Sequence, residues 1–366
     1  MSRGHIVIMA GGTGGHVFPG LAVADCLRER GWEVSWLGTR AGLEASVVPD
    51  REIELDCIQV SGIRGRGLLG WLLLPLRLSR AVWQALRVLR RRRPDMVLGM
   101  GGFASGPGGL AARLLRVPLV IHEQNAIAGL TNRVLAHFAQ RVLCGFPGSF
   151  PDKVGAETVG NPVRRAVTQT TPPERRLPGR SGPIRVLIVG GSRGARALNQ
   201  HVPAALAAHG GDVALAVRHQ CGRGWEGETR EHWQALGGEA EVLPFIDDMA
   251  EAWAWADLAI CRSGALTVSE LAAAGVASIL IPFPAAVDDH QTANAEFLEA
   301  SRAARLLPQD RLEAGELKEL LEPLLGNRSQ LLEMAKRARL MARPDADQVV
   351  ADACEAVAAE RRGGGA

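Results

Sequence analysis

The sequence predicts an α/β protein made of two doubly wound halves, each a parallel sheet with helices on both faces. Three observations predict it. Two glycine-rich turns follow buried strands 179 positions apart: Gly11-Gly12-Thr13-Gly14-Gly15 after Ile6-Val7-Ile8-Met9-Ala10, and Gly190-Gly191-Ser192-Arg193-Gly194 after Val186-Leu187-Ile188-Val189. Short apolar runs alternate with helical patterns along both halves, the rhythm of parallel strands joined by crossover helices. Between the halves, Asn161-Pro162, Pro172-Pro173, Pro178 and Gly182-Pro183 interrupt that rhythm and read as a linker.

In the first half, strands are expected at 5–10, 33–37, 54–60, 95–99, 119–122 and 141–144, with a helix over 18–30 after the first glycine turn. In the second, strands are expected from 184 and near 213–217, 241–245, 258–261, 278–282 and 304–307, with a helix over 195–209. The chain beyond Arg311 reads as helical, and Gly363-Gly364-Gly365 as a loose tail. The domain layout is therefore 1–161, a linker at 162–183, a second domain at 184–345, and a terminal helix and tail at 346–366.

At 366 residues and 47% hydrophobic side chains, the chain has material for two cores. Cys26, Cys57, Cys144, Cys221, Cys261 and Cys354 lie far apart with no C-x-x-C pair, so they read as reduced core thiols in a cytoplasmic protein. A strand starts within about five residues of Met1, which leaves no room for a signal peptide. No stretch reaches the roughly 18 to 20 apolar residues of a membrane span.

Net charge is only +3, but the stretch Ser61 to Arg93 holds nine arginines and no acid, leaving 33 basic against 39 acidic residues elsewhere. The same stretch contains Leu68-Leu69-Gly70-Trp71-Leu72-Leu73-Leu74-Pro75-Leu76. A basic face joined to an apolar one suits an anionic membrane surface. The alternative is a core helix whose polar side is rich in arginine. The apolar run and the absence of a nucleic-acid motif argue against nucleic acid as the partner.

Each glycine turn opens a helix, where free N–H groups can face an anion. The alternative for either turn alone is tight strand-helix packing. A dinucleotide fingerprint would place an acid about 20 residues on, at the tip of the second strand. Trp36-Leu37-Gly38-Thr39 and Val217-Arg218-His219 carry none, which argues against NAD. Ligands of open α/β sheets collect beyond the carboxyl ends of the strands. There the sequence offers Met100 to Pro107, Glu123-Gln124-Asn125, Arg262 to Glu270 and Asp288 to Gln291. In the third of these, Ser263-Gly264 opens a helix toward phosphate, and Glu270 two turns on can accept hydrogen bonds from a sugar diol. The alternative makes Ser263 a plain N-cap and Glu270 a solvated helix residue. Asn125 and Gln291 offer amides suited to sugar hydroxyls.

Eight ordered motifs, GGTGGH (Gly11 to His16), GGFASGPGG (Gly101 to Gly109), HEQN (His122 to Asn125), GNPVR (Gly160 to Arg164), GGSRGA (Gly190 to Ala195), FIDDM (Phe245 to Met249), CRSGALTVSE (Cys261 to Glu270) and DDHQTANA (Asp288 to Ala295), resemble the MurG family. These are the bacterial GlcNAc transferases of peptidoglycan synthesis, and the resemblance runs from Ile6 to about Gln348. It implies the GT-B fold, two Rossmann-like domains with the active site between them. It also implies transfer of GlcNAc from UDP-GlcNAc to the C4 hydroxyl of MurNAc in undecaprenyl-pyrophosphoryl-MurNAc-pentapeptide. Inversion at the anomeric carbon suits one in-line displacement without a covalent glycosyl-enzyme.

By the same resemblance, Ser192 and the backbone of Ala265, Leu266, Thr267, Val268 and Ser269 lie near the donor diphosphate, Ile246 at uracil, Glu270 at ribose and Gln291 at the GlcNAc hydroxyls. Arg164 is expected to contact the donor, where its fixed charge offsets the charge growing on UDP. Thr13, Gly14, Gly15 and Asn125 complete the site from the first half, and their loop can also face the acceptor pyrophosphate. His16 is favoured over Glu123 as the base, the alternative for His16 being a helix residue bonded to backbone. No D-x-D motif is present, so no protein-bound catalytic metal and no cofactor are expected. Phe103 and Arg193 stand where this family often has tyrosine and glutamine; the chain has no tyrosine, so any phenolic role at 103 is lost.

The implied location is the cytoplasmic face of the cell membrane, held peripherally through Ser61 to Arg93, with room for contacts to other cell-wall synthesis proteins. Two other functions fit the same residues: a different UDP-sugar enzyme, such as a lipid glycosyltransferase or a UDP-GlcNAc epimerase, or a membrane-docked nucleotide-sugar sensor without chemistry.

Overall fold

The computed structural model describes residues 3–60, 74–191, 194–209 and 213–363, which divide into two compact units, 1–164 with 344–366 and 165–343. Ser192, Arg193, Arg64, Arg66 and the apolar run from Leu68 to Leu73 lie outside the described residues, as do the last three residues of the tail.

The first unit is a parallel sheet of seven strands, β1 (His5–Met9), β2 (Glu33–Gly38), β3 (Glu54–Cys57), β4 (Met96–Gly99), β5 (Leu119–Glu123), β6 (Arg141–Cys144) and β7 (Glu157–Thr158), in the order β3-β2-β1-β4-β5-β6-β7. Strand alternation gives it two cores: Ile6 and Ile8 of β1 face one, Val7 and Met9 the other. Both faces are covered, as an all-parallel sheet requires. The expected strands are present, and β7 is an addition too short for the sequence pattern to reveal.

One cover comes from the far end of the chain. The helix Ala346–Gly363 packs on the helix Gly14–Glu29 and buries Val350, Ala351, Cys354, Val357 and Ala358 in the same core as Ile6, Val23 and Leu27. Polar contacts fix its rotation: Trp32 Nε1 donates to Glu355 Oε1 at 2.7 Å, and Arg30 pairs with Glu355 at 2.9 Å.

The second unit repeats the plan with six parallel strands, β8 (Ile184–Val189), β9 (Leu215–Gln220), β10 (Glu241–Leu243), β11 (Leu258–Cys261), β12 (Ala277–Leu280) and β13 (Ala304–Leu306), ordered β10-β9-β8-β11-β12-β13. The strand β9 runs to Gln220, beyond the expected end at Val217, because it stays in register with β8 as far as Val189↔Gln220. The stretch read as a linker is packed on this unit. Arg176 donates to the carbonyls of Ala274 and Gly275 at the end of the helix Ala265–Ala274. Arg180 does the same for Ala254 and Trp255 at the end of the helix Met249–Trp255, and pairs with buried Asp257 at 2.7 Å. Cationic side chains on the orphan carbonyls of helix ends tie this strip down.

All six cysteines are free, and all but half-buried Cys57 are buried. Among the described residues no helix is long and apolar enough to cross a membrane.

Because the terminal helix completes the first core, a buried charge there should loosen strands more than 300 positions away. Val357→Asp is expected to cost roughly 3 kcal/mol or more, the scale for an unpaired buried charge. Amide hydrogen exchange should speed up across 5–38 and stay unchanged across 184–281; equal loss in both units would show that the helix does not belong to the first.

Candidate active site

In both units the strand order reverses beside the first strand, between β1 and β4 and between β8 and β11. Connections leave in opposite directions at such a point and open a crevice at the carboxyl ends. The glycine turns sit at these two points.

In the first unit, Gly12 (φ 97°) turns the chain out of β1, and Thr13 precedes the helix Gly14–Glu29 without a side-chain cap. The turn after β4 crosses closely: a Cβ on Gly102 (φ 78°) would stand 2.1 Å from the Gly11 carbonyl oxygen, and one on Gly101 (φ 91°) 2.9 Å from His16 Nδ1. Ser105, fully buried, shares its hydroxyl proton between the carbonyls of Met9 (2.6 Å) and Gly101 (2.7 Å), joining the two turns.

The first turn rests on a carboxylate. Glu44 is fully buried; one oxygen accepts from Gly12 N–H at 2.9 Å, the other from the Thr39 N–H at 2.8 Å and hydroxyl at 2.7 Å. This corrects the expectation of no carboxylate at the tip of β2. The acid arrives from a helix turn six residues past the strand end, and protein N–H and O–H groups engage both of its oxygens. The second turn rests on an amide: Gln220 Oε1 accepts from Gly191 N–H at 2.9 Å, while its Nε2 donates to the carbonyls of Gly191 (3.1 Å) and Pro244 (3.0 Å). Sequence reading missed both braces. Gln220 had a local signal, the tip of the second strand; Glu44 had none.

His16 lies in the first turn of its helix with Nδ1 2.9 Å from Gln124 Oε1, so its partner is a side chain rather than backbone. Glu123 is 3% exposed and saturated: one oxygen accepts from Asn125 N–H (2.9 Å) and Nδ2 (3.2 Å), the other from Gly129 N–H (3.1 Å) and Asn132 Nδ2 (2.9 Å). It organises the loop after β5 that carries Asn125. Arg164, last residue of this unit before the second begins, lies over the Phe18 ring at 5.4 Å.

In the second unit, the helix Ala265–Ala274 makes its first internal bond from Val268 N–H to the Gly264 carbonyl, so the N–H groups of Ala265, Leu266 and Thr267 face outward from its start. Ser263 is buried and does not cap this helix; its hydroxyl donates to the Gln291 carbonyl at 2.8 Å. That bond holds the start of the helix His290–Ala300 beside the turn. Gln291 Oε1 accepts from Phe283 N–H at 2.9 Å, which orients its amide. Glu270 is 4% exposed, so it is not a solvated helix residue; Trp253 Nε1 donates to one carboxylate oxygen at 3.1 Å. Ile246 is half-buried in the loop after β10. Among the described residues no cluster of His, Cys, Asp or Glu could hold a metal ion.

Residues 6–144 match the glycosyltransferase family 28 N-terminal domain and residues 185–350 its C-terminal domain. The chain belongs to the MurG branch of glycosyltransferase family 28. It is 57% identical to the UDP-N-acetylglucosamine–N-acetylmuramyl-(pentapeptide) pyrophosphoryl-undecaprenol N-acetylglucosamine transferase of Alkalilimnicola ehrlichii, over 95% of this chain and 98% of that protein. The corresponding transferase of Halorhodospira halophila is 56% identical over 98% and 99%. The crystal structure of Acinetobacter baumannii MurG superposes with a TM-score of 0.82 at 42% identity, covering 96% and 99%. The family 28 architecture is the GT-B fold, and the two parallel sheets described above are its two domains.

Each unit of this family 28 protein also holds a buried neutral histidine, His122 on β5 and His219 on β9. Burial pushes His122 down to about 4 and His219 down to about 3. His219 Nδ1 accepts from Trp233 Nε1 at 3.1 Å, and its Nε2 donates to Asn199 Oδ1 at 3.1 Å. The unfolded chain, titrating near 6.5, binds more protons than the folded one below that pH. The resulting stability is present above about 6.5 and is lost as pH falls toward about 4. By pH 5 each histidine is expected to have forfeited roughly 2 kcal/mol. Urea unfolding at pH 7 and pH 5 checks this, and His219→Gln should flatten the dependence of the second unit. A midpoint that does not move with pH in the parent protein would refute it.

Proposed function

We infer that this protein transfers GlcNAc from UDP-GlcNAc to undecaprenyl-pyrophosphoryl-MurNAc-pentapeptide, converting lipid I to lipid II in peptidoglycan synthesis. The observation that carries this is the 57% identity spanning nearly the whole of both chains, with every motif loop at the carboxyl end of a strand. In the reaction, the acceptor O4 gives up its proton, forms a bond to C1 of GlcNAc and displaces UDP, which leaves with the electron pair of the broken C1–O bond. The α linkage of the donor becomes a β-1,4 bond.

His16 is proposed as the base. Its Nδ1 is bonded to Gln124, which leaves Nε2 for a proton, whereas both oxygens of Glu123 are committed to four N–H donors of the loop it shapes. The second unit is proposed to hold the donor: Ser192 and the N–H groups of Ala265 to Ser269 at the diphosphate, Ile246 at uracil, Glu270 at ribose and Gln291 at GlcNAc, with Arg164 countering charge on the leaving UDP. The braces support that division. A neutral amide under the second turn leaves its N–H groups hospitable to a diphosphate, while the Glu44 carboxylate under the first repels one. Thr13, Gly14, Gly15 and Asn125 are accordingly assigned to acceptor hydroxyls.

Membrane docking is proposed through the helix Leu74–Arg92. Its inner face, Ala81, Ala85 and Leu89, is buried, while Leu76 is 69% and Trp83 54% exposed. Arg77, Arg80, Arg87 and Arg90 are exposed, and Arg87 stacks on Trp83 at 4.8 Å. Arg91 and Arg92 are instead engaged by Asp56. Apolar and cationic groups on one outward face match a headgroup boundary of anionic lipid.

The central test supplies UDP-GlcNAc and a short-chain lipid I analogue and identifies the product. A β-1,4-linked GlcNAc–MurNAc with UDP release is expected, and UDP-GlcNAc altered without acceptor, or no UDP released with it, would overturn the reading. His16→Ala should lower kcat roughly 100- to 10,000-fold with little change in donor KM. Glu270→Ala should weaken donor binding by roughly 1 to 3 kcal/mol, and unchanged affinity would remove it from the donor site. Reversing Arg77 and Arg80 to Glu should weaken binding to anionic vesicles by roughly 1 kcal/mol per charge removed while preserving turnover of the soluble acceptor. Equal vesicle binding by parent and variant would exclude this helix as the docking face.

A further inference from the structure

The histidine proposed as base ends a chain of hydrogen bonds whose direction can be read from its other end. His122 is fully buried on β5, and its Nε2 lies 2.9 Å from the carbonyl oxygen of Gly160, a group that can only accept. That nitrogen therefore carries the proton. Burial keeps the ring neutral, with its imidazole pushed down to about 4, so Nδ1 is a lone-pair acceptor. The side chain of Gln124, 1% exposed, places its Nε2 3.1 Å from that acceptor and 3.2 Å from the His122 carbonyl. Two acceptors at one end of an amide identify that end as NH2. The other end, Oε1, is then the atom 2.9 Å from His16 Nδ1, and an oxygen there requires a donor. Asn161 Nδ2, donating to the Gln124 carbonyl at 3.0 Å, holds the same residue from the main-chain side.

We propose that Gln124 is a positioning residue that, anchored through His122 to the Gly160 carbonyl, fixes His16 as its Nδ1–H tautomer and so leaves Nε2 as the basic nitrogen. The catalytic half of this statement rests on the reading of His16 as base. A free imidazole distributes its proton between both nitrogens and turns about its side-chain bonds. Here the amide oxygen accepts from one nitrogen, while the ring lies against Gly101, where no Cβ stands in its way. An acceptor proton can then be taken only by the other ring nitrogen, Nε2. The role parallels that of a buried carboxylate behind a catalytic histidine, with a neutral amide in its place. A neutral partner orients the ring without the added attraction a carboxylate would exert on the imidazolium.

The test joins a spectroscopic and a kinetic readout on the full-length protein. With 15N-labelled histidine, long-range proton–nitrogen correlation separates protonated from lone-pair ring nitrogens, and the His16 signals are those absent from His16→Gln. The parent protein should show His16 protonated at Nδ1. In Gln124→Leu, close in size and without an acceptor, the tautomer should become mixed, and kcat should fall roughly 10- to 100-fold with donor KM changed less than about twofold. Gln124→Glu keeps an oxygen facing His16 but loses the amide donor to His122, so it should retain the Nδ1–H form with activity between that of the parent and that of Gln124→Leu. A parent His16 protonated at Nε2, or an Nδ1–H form that survives in Gln124→Leu, overturns the proposal. A tautomer that changes in Gln124→Leu while kcat holds would leave the hydrogen-bond chain intact but remove His16 as base, and with it the catalytic part of the proposal.

Discussion

A parallel strand that ends beside a switch point leaves its last backbone groups without ladder partners, and this protein meets that constraint with buried side chains. Glu44 serves the turn after β1 and Gln220 the turn after β8. The rest of the site depends on those two braces. Without Glu44 under Gly12, the turn would have no fixed height above the sheet, and the helix that begins two residues later would not present His16 in one place. Unmade hydrogen bonds to buried groups cost about 1 to 3 kcal/mol each, enough to select one loop conformation over its competitors.

The same two braces break the symmetry of the halves. The sheets share a strand order, and both turns are glycine-rich, yet one is backed by a charge and the other by a dipole. In a low-dielectric interior that difference matters more than any similarity of backbone. A fold duplicated in its backbone thus differs in what lies beneath each turn, a buried carboxylate in the first unit and an amide in the second. The buried histidines extend the same logic, since each accepts a side-chain N–H at Nδ1 and donates from Nε2 while remaining uncharged.

Buried carboxylates here are mostly structural, and that sorts the candidates. Glu123 lies within a motif as conspicuous as that of His16, but its oxygens are committed to the loop it shapes. Glu270 is also buried, with an indole from a neighbouring helix on one oxygen. Residue type and motif membership alone do not reveal a carboxylate that shapes a loop; the four donors on Glu123 do.

The sequence by itself determined the two-sheet plan, nearly every strand and the glycine turns, because these depend on local physics: period-two burial, helix starts, and backbone conformations that glycine adopts without strain. It placed the end of β9 too early and treated 162–183 as a linker, since proline and glycine signal irregular backbone but not what that backbone packs against. Tertiary structure alone decided that the chain's last helix completes the first core, that Arg176 and Arg180 bind their strip to the second unit, that Glu44 reaches the tip of β2, and that Gln124 stands between His16 and His122. Each of these is a contact between residues whose separation along the chain carries no periodic signal. Their pairing is enforced only when burial removes water as the competing partner and every remaining donor must find an acceptor within the protein.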